Sequence, residues 1–195
     1  MDSKRIWSLV AASALMAAGG SVSVQAASDC RLAERYISLA RERQAAAETL
    51  EAESLLKQAI EACPSYEALQ SLGELQAQST KRADQAHAVD SFVSADELAP
   101  TDRDRARTRF QYANLLRRDG DTQNAYQLIH DAQRLDPKDP EIAQLSSQIE
   151  RQIQNPSQER IMRGAGPSLY KPLRTMATGT DAGIHAGAAA PPPAH

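Results

Sequence analysis

Apolar residues recur along the chain with the spacing of a helix, and the same arrangement returns in three copies. In each copy an alanine is followed by a bulky apolar residue after four positions, an alanine after three more and a proline after another five. The first three positions lie on one stripe of a helix, and proline cannot continue the helical hydrogen-bond ladder. The pattern predicts three amphipathic helices that end just before their prolines. The copies are Ala52, Leu56, Ala59 and Pro64; Ala88, Phe92, Ala95 and Pro100; and Ala125, Ile129, Ala132 and Pro137.

A further helix is predicted before each of these three. Its apolar stripe always includes a small residue, Ala40, Gly73 or Ala113, beside larger ones. Small residues let two helix backbones approach closely, so each pair of helices is expected to form a hairpin. Gly120-Asp121 is a turn signal inside the third hairpin. Successive copies are shifted by 36 and 37 residues, which identifies an internal repeat.

One more helix and then a tail are predicted after the third hairpin. Asp139-Pro140-Glu141 combines a capping residue, a proline suited to the first helical position and an acidic first turn. The helix is apolar on one face only, as the terminal helix of a repeat array must be, and Asn155-Pro156 ends it. Residues 155–195 are rich in Gly, Ala and Pro and are predicted to be disordered. An apolar and basic island at 160–163 and 169–173 suits either a plain linker or a partner-binding motif.

The repeated region resembles tetratricopeptide (TPR) repeats. The repeat of 36 or 37 residues is longer than the family's, and the first copy lacks a glycine in its inner turn. The resemblance implies an all-α fold over residues 27–154, a TPR-type helix-turn-helix solenoid of about three repeats plus a C-terminal capping helix. The residues that carry it best are Tyr112-Ala113, Gly120-Asp121, Ala125, Ile129, Ala132 and Leu135-Asp136-Pro137.

In that family the first helices line a concave groove, and the resemblance implies a partner-binding groove here as well. The groove is expected to be acidic in its middle and basic at its C-terminal end. Phe110, together with arginine side chains, is a combination that interface hot spots favour and that can hold an extended peptide or a carboxylate. The predicted groove residues are Glu34, Ile37 and Arg41 in the first copy; Glu67, Gln70 and Glu74 in the second; and Arg107, Phe110, Asn114 and Arg117 in the third.

Arginines are concentrated on the first helix of the third copy, the most basic part of the chain. Taken one by one, each arginine can be explained as a solvated charge beside acidic neighbours. Taken together with Phe110 and Asn114, the cluster favours a binding role. The arginines are Arg103, Arg105, Arg107, Arg109, Arg117 and Arg118.

Residues 1–26 have the organisation of a secretory signal peptide. Two basic residues precede a short apolar run, and Val24-Gln25-Ala26 supplies small residues at the cleavage positions. The run is shorter than the roughly 20 apolar residues that span a bilayer. Ser28-Asp29 before Cys30 does not fit a lipoprotein signal. We therefore predict export with cleavage after Ala26, a periplasmic or secreted location, and no stable membrane span in the mature protein.

The two cysteines are expected to form a structural disulfide. In an antiparallel helix pair, the start of the first helix lies beside the end of the second. Cys30 precedes the first helix of the first copy and Cys63 ends its partner. Export also implies an oxidising compartment. A redox or metal pair has little support, because there is no CxxC motif and the four histidines are scattered.

Composition and motifs point away from nucleic acid and from catalysis. The net charge of −3 lacks the basic excess that is typical of nucleic-acid binders, and an aromatic content of 4% argues against a β-sandwich or barrel. No nucleophile elbow, zinc-binding histidine motif, phosphate-binding glycine loop or Cys/His pair is recognisable. We therefore expect a protein that is not an enzyme and uses neither a metal nor a cofactor.

These features predict a non-catalytic periplasmic adaptor or scaffold that binds a peptide segment of another envelope protein. The role expected from the resemblance is assembly of the cell envelope or of a secretion or pilus complex. Two alternatives remain open. One is a structural subunit that self-associates into a homo-oligomer, and the other is an accessory subunit of an envelope enzyme complex.

Overall fold

The computed structural model describes residues 18–154 and 167–173, with side chains from Asp29 onward. Within these residues the regular elements are seven α-helices, without a β-strand. Most of the predicted signal peptide and most of the predicted tail lie outside the described residues. No described helix is both long enough and apolar enough to cross a membrane. The helices are α1 Ala18–Ala45, α2 Thr49–Ala62, α3 Tyr66–Ala77, α4 Arg82–Leu98, α5 Asp102–Asp119, α6 Thr122–Leu135 and α7 Pro140–Gln154.

The helices pair in chain order into three hairpins, α1 with α2, α3 with α4 and α5 with α6. Neighbouring hairpins pack through α2 on α3 and through α4 on α5, and α7 covers α6 and part of α5. The first helices of the second and third hairpins also meet directly, since α3 contacts α5. The predicted all-α arrangement of repeated hairpins with a closing helix is therefore present in the described part of the chain.

Helix ends follow the local sequence signals. The helices α2, α4 and α6 each end two residues before the proline of their copy. Helix α7 begins at Pro140, and the carboxylate of Asp139 accepts hydrogen bonds from the backbone N–H groups of Glu141 at 2.8 Å and Ile142 at 3.3 Å. These bonds satisfy donors that a helix N-terminus leaves without partners, so a short sequence signal determines where the helix starts.

The repeated alanine and bulky apolar positions form the core. All nine of them are at most 1% exposed. The largest core cluster extends from α3 to α7 and contains the large side chains of Phe92, Tyr112 and Leu116, whereas two smaller clusters hold the first hairpin. Each buried methylene contributes about 0.8 kcal/mol, so the C-terminal part of the array has the larger hydrophobic stabilisation.

Gly73 makes room for the aromatic ring of the second hairpin. A β-carbon at this position would lie 2.7 Å from Cε1 of Phe92, well inside van der Waals contact. Phe92 itself is completely buried. The small residue predicted on α3 is therefore required by the ring that α4 places against it.

Cys30 and Cys63 are joined by a disulfide, and their Cα atoms lie 4.8 Å apart. The bond connects α1 to the residue that follows α2, which confirms the predicted pairing. A disulfide is compatible with export to an oxidising compartment. The backbone of α1 continues as a helix through the predicted cleavage position after Ala26.

Residues 167–173, which we call the strap, lie against the helical domain. They form no helix or strand, but their three large apolar side chains pack on the largest core cluster. The hydroxyl of Tyr112 donates a hydrogen bond to the carbonyl oxygen of Lys171 at 3.1 Å and accepts one from the N–H of the same residue. These seven residues of the predicted tail therefore lie in a defined place, because their apolar and basic side chains have a matching surface on the domain.

Candidate functional site

The ten predicted groove residues lie on α1, α3 and α5, the first helices of the three hairpins. Eight of them are accessible, and we call the surface that they form the first-helix face. Glu34, Arg41, Glu67 and Arg107 are exposed, Glu74, Phe110, Asn114 and Arg117 are half-buried, and Ile37 and Gln70 are buried.

Ile37 belongs to the core and not to the first-helix face. It is 4% exposed and shares a core cluster with Ala33, Ala59 and Ala68. Ala33 and Ile37 are four residues apart and so lie on the same side of α1, toward α2 and α3. The assignment of Ile37 to a partner-binding groove is therefore wrong, because this side of α1 is needed to cover its neighbouring helices.

Gln70 is buried as well, but it organises the polar groups between α3 and α5. Its Oε1 accepts a hydrogen bond from Oγ1 of Thr108 at 2.8 Å, and its Nε2 donates to Oε1 of Glu74 at 2.9 Å. The same oxygen of Glu74 lies 3.5 Å from Nη2 of Arg107. Gln70 thus positions Glu74 beside the next first helix, and its own side chain is unavailable to a partner.

Charges on the first-helix face are compensated between neighbouring helices. Arg41 on α1 forms an ion pair with Glu67 on α3, and Arg107 on α5 approaches Glu74 on α3. The expected gradient, acidic in the middle and basic at the C-terminal end, is therefore replaced by two cross-helix pairs. Exposed pairs of this kind contribute only about 0–1 kcal/mol, so a charged partner can rearrange them at little cost.

Arg109 is a structural residue of the α4–α5 contact. Its Nε lies 2.8 Å from Oδ1 of Asp96 and its Nη2 lies 3.0 Å from Oδ2, with both side chains at most 10% exposed. Burial acts to lower the pKa of Arg109, but the hydrogen bonds and charge of Asp96, with a contribution from Asp131, outweigh it and the pKa is raised. Inclusion of Arg109 in the basic binding cluster is therefore wrong.

Most of the other arginines of α5 also have partners within the described residues. Arg105 pairs with Asp102 at 3.0 Å and Arg103 with Asp136 at 3.6 Å. Arg118 donates to the carbonyl oxygen of Ala77 at 2.7 Å, at the end of α3. The solvated-charge interpretation thus describes these three residues better than a shared binding role.

Arg117 differs from the rest of the cluster. Its Nη2 donates to Oδ1 of Asn114 at 3.0 Å, but no carboxylate of the described residues lies within ion-pair distance, and its Nε is buried without a partner. Burial lowers the pKa of Arg117, and the positive charge of Arg118 lowers it further. Within the described residues, Arg117 is the half-buried cation of the first-helix face that lacks a counter-ion.

A cavity of about 200 Å³ opens between α5 and the start of α7. Phe110 and Arg107, two predicted groove residues, lie in its wall. Two of its carboxylates already take part in helix caps. Oδ2 of Asp104 accepts a hydrogen bond from the hydroxyl of Thr101 at 2.6 Å, and Oδ1 of Asp139 accepts one from the N–H of Glu141. Its lining is Arg103, Asp104, Arg107, Phe110, Gln111, Asp139, Glu141 and Ile142.

The binding of the strap by Tyr112 was missed in the sequence. In the sequence Tyr112 is one of the residues that carry the resemblance to the repeat family, and in the structure it is completely buried. Its hydroxyl is nevertheless used to bind backbone that lies 59 residues away in the chain. The available signal was the apolar and basic island at 169–173, which suggested a motif but not its location.

No protein-family model matches the chain, and no curated protein is significantly similar to it. Among the residues that the structure describes, no group of three or more His, Cys, Asp and Glu side chains is arranged to hold a metal ion. The geometry of the first-helix face therefore has to support any functional conclusion by itself.

Proposed function

We propose that this chain is an exported, non-catalytic adaptor of the TPR type, which binds an extended segment of another envelope protein on its first-helix face. The repeated hairpins support the TPR assignment, and the disulfide supports a periplasmic location. The adaptor assembles other components, in the cell envelope or in a secretion or pilus complex, and itself supplies a docking surface.

The observation that carries the proposal is the cavity beside Phe110. An apolar ring at the wall of a cavity, next to arginines, is the composition found where an interface residue of a partner is anchored. Arg117, which has a half-buried guanidinium and no carboxylate partner, lies two turns further along α5. A partner segment that inserts a side chain beside Phe110 and places a carboxylate at Arg117 would use both features.

Affinity capture from an envelope extract tests the proposal, with the oxidised mature protein as bait. We expect one partner to be retained by the unchanged protein and lost with the Arg107→Glu, Arg117→Glu double variant. Arg134→Glu is the matched control, because this exposed arginine lies on α6, outside the first-helix face. Circular dichroism of the variants checks that each remains helical.

A photo-reactive amino acid at position 110 then tests where the partner binds. We expect cross-linking to the captured partner from position 110 and none from Gln127, an exposed residue of α6. Retention of the partner by the double variant would refute the assignment of this face. Capture of the bait's own chain alone would replace the adaptor with a self-associating subunit.

A further inference from the structure

A second binding surface lies on the opposite side of α5 from the cavity. Phe110, Tyr112 and Asn114 are spaced by two residues, so Tyr112 is turned by about 200° from the other two. The strap lies on this side and is held by Arg82 and Asp90 of α4, Tyr112 of α5 and Asp121, the residue that caps α6. We call these four residues the strap seat.

The seat recognises the backbone of the strap through one phenol group. The hydroxyl of Tyr112 donates to the carbonyl oxygen of Lys171 and accepts from its N–H, so a single side chain satisfies both polar groups of one peptide residue. Arg82 adds a hydrogen bond to the carbonyl oxygen of Pro167. Contacts to backbone groups do not depend on the identity of the side chain, so the same bonds suit any extended peptide.

An aromatic stack provides a specific position beside this backbone contact. The ring centroid of Tyr170 lies 6.2 Å from that of Tyr112, which in turn lies 6.3 Å from that of Phe92. Both distances are within the range of favourable ring pairs. The stack extends from the core to the strap, so the seat favours an aromatic residue at this position of a bound peptide.

A negative charge on the seat favours a basic residue directly after the aromatic one. The ammonium group of Lys171 forms an ion pair with Asp90, whose carboxylate has no other ion pair or hydrogen bond among the described residues. The carboxylate of Asp121 accepts a hydrogen bond from the hydroxyl of Ser168. The strap itself contains one lysine and no acidic residue. An aromatic residue followed by a lysine therefore matches the seat.

The strap remains largely exposed to solvent although it makes several specific contacts with the domain. Four of its seven residues are exposed and the other three are only half-buried. Its hydrogen bonds to the domain all use side chains of the seat, and no backbone–backbone hydrogen bond of the described residues involves it. Its release would thus leave the hydrogen bonds of the helices unchanged.

We propose that the strap seat is a second docking site for another protein, and that the strap is its displaceable resident ligand. The incoming ligand is an extended segment in which an aromatic residue is directly followed by a lysine. This inference does not depend on the first-helix face, since the two surfaces lie on opposite sides of α5. Tethering holds the strap at an effective concentration on the order of mM, so only a ligand of matching chemistry displaces it.

A peptide with the sequence of residues 167–173, capped at both ends and carrying a fluorophore, is the probe. It is titrated with the oxidised full-length chain and with a strap-disabled full-length chain that carries Tyr170→Ser and Lys171→Glu. Fluorescence anisotropy reports binding. We expect the probe to bind the strap-disabled chain at least about tenfold more tightly, because the tethered strap no longer competes for the seat.

Variants of the strap-disabled chain locate the probe on the seat. Tyr112→Phe keeps the ring but removes both backbone hydrogen bonds, and we expect it to weaken binding about tenfold. Asp90→Asn should weaken binding of the probe but not of a probe in which glutamine replaces lysine. Replacing tyrosine by alanine in the probe should also abolish its tighter binding to the strap-disabled chain than to the unchanged chain. The control is Glu61→Gln, an exposed residue of α2 that should have no effect.

Equal binding to the two chains, no binding at mM concentration, or insensitivity to Tyr112→Phe would overturn the proposal. Exchange of straps between copies of the unchanged chain, seen as concentration-dependent dimers in sedimentation, would overturn it in favour of a second copy as the occupant. If the double strap variant loses its helical signal, Lys171→Glu alone replaces it, because this side chain is exposed. Unfolding of that variant too would show that the strap is part of the fold and would refute displacement.

Discussion

The inner turns of the first and third hairpins have the same hydrogen bonds but different residues at the left-handed position. After α1, the N–H of Glu48 donates to the carbonyl oxygen of Arg43 at 2.9 Å, and that of Ala47 donates to Gln44 at 3.0 Å. After α5, the N–H of Asp121 donates to the carbonyl oxygen of Leu116 at 2.9 Å, and that of Gly120 donates to the carbonyl oxygen of Arg117 at 3.3 Å. Both are Schellman caps, in which one residue adopts a left-handed conformation.

That residue is Gly120 in the third hairpin, with φ of 83°, and Ala47 in the first, with φ of 61°. Glycine adopts this conformation without strain, whereas a residue with a β-carbon loses roughly 1–2 kcal/mol. The backbone of the first turn is therefore imposed by the packing of α1 on α2, against the preference of its own sequence.

Different forces hold the two hairpins together. The third belongs to the largest core cluster, which includes Tyr112, Leu116 and Ile129. The first is held by small clusters, rich in alanine, and by the disulfide between Cys30 and Cys63. A covalent bond thus supports the hairpin in which apolar burial is least and the turn is strained.

The largest effect is expected where the third hairpin is fixed to the second. Asp96→Ala leaves Arg109 buried without its bidentate partner, and breaking such a pair costs about 3–5 kcal/mol. Urea unfolding followed by circular dichroism measures the loss. The control is Asp102→Ala, which removes an exposed partner of Arg105 and should cost under about 1 kcal/mol. Equal losses for the two variants would contradict the structural role of Arg109.

Removal of the disulfide tests the first hairpin. The bonded cysteines are 33 residues apart, and the chain entropy of a loop of that size corresponds to about 3–4 kcal/mol. We expect the Cys30→Ser, Cys63→Ser double variant to lose this much stability. Hydrogen exchange should show loss of protection in α1 and α2 first, with α5 and α6 still protected. A uniform loss over all the helices would contradict the distinction between the hairpins.

Gly73→Ala tests tight packing in the hairpin that lies between the other two. Its methyl group would collide with the ring of Phe92, and overpacking of a core costs about 1–3 kcal/mol. Thermal unfolding is the measurement. The control is Ser71→Ala, which changes a half-buried residue of the same helix. An unchanged melting temperature for Gly73→Ala would mean that the ring moves aside freely.

The smallest effects come from exchanging the residues of the two caps. Ala47→Gly should stabilise the protein by about 1 kcal/mol, because glycine adopts the left-handed conformation without strain. Gly120→Ala should destabilise it by about the same amount, because it introduces that strain. Urea unfolding of both single variants and of the combined variant tests the exchange, and the combined variant should be close to neutral. Ala46→Gly, one position before the strained residue, should not stabilise. A destabilising Ala47→Gly would refute the strain.

Much of the fold could be predicted because its signals are local. Periodic apolar residues marked the helices, prolines marked three of their ends, and Asp139 with Pro140 marked the start of α7. The cysteine pairing followed from the antiparallel arrangement of two adjacent helices. The candidate site was less predictable, since Ile37 and Arg109 look like surface positions in the repeat register but are enclosed by neighbouring helices.

The sequence by itself determined where the helices are, how they pair and which cysteines join, because periodicity, proline and glycine act within a few residues or one hairpin. Only the tertiary structure decided that Ala47 adopts a left-handed conformation, that Asp96 neutralises Arg109 and that the strap lies against Tyr112. These features depend on contacts between segments whose relative positions no local pattern encodes. Their free energy arises from burial and charge pairing, which exist only once the helices have packed.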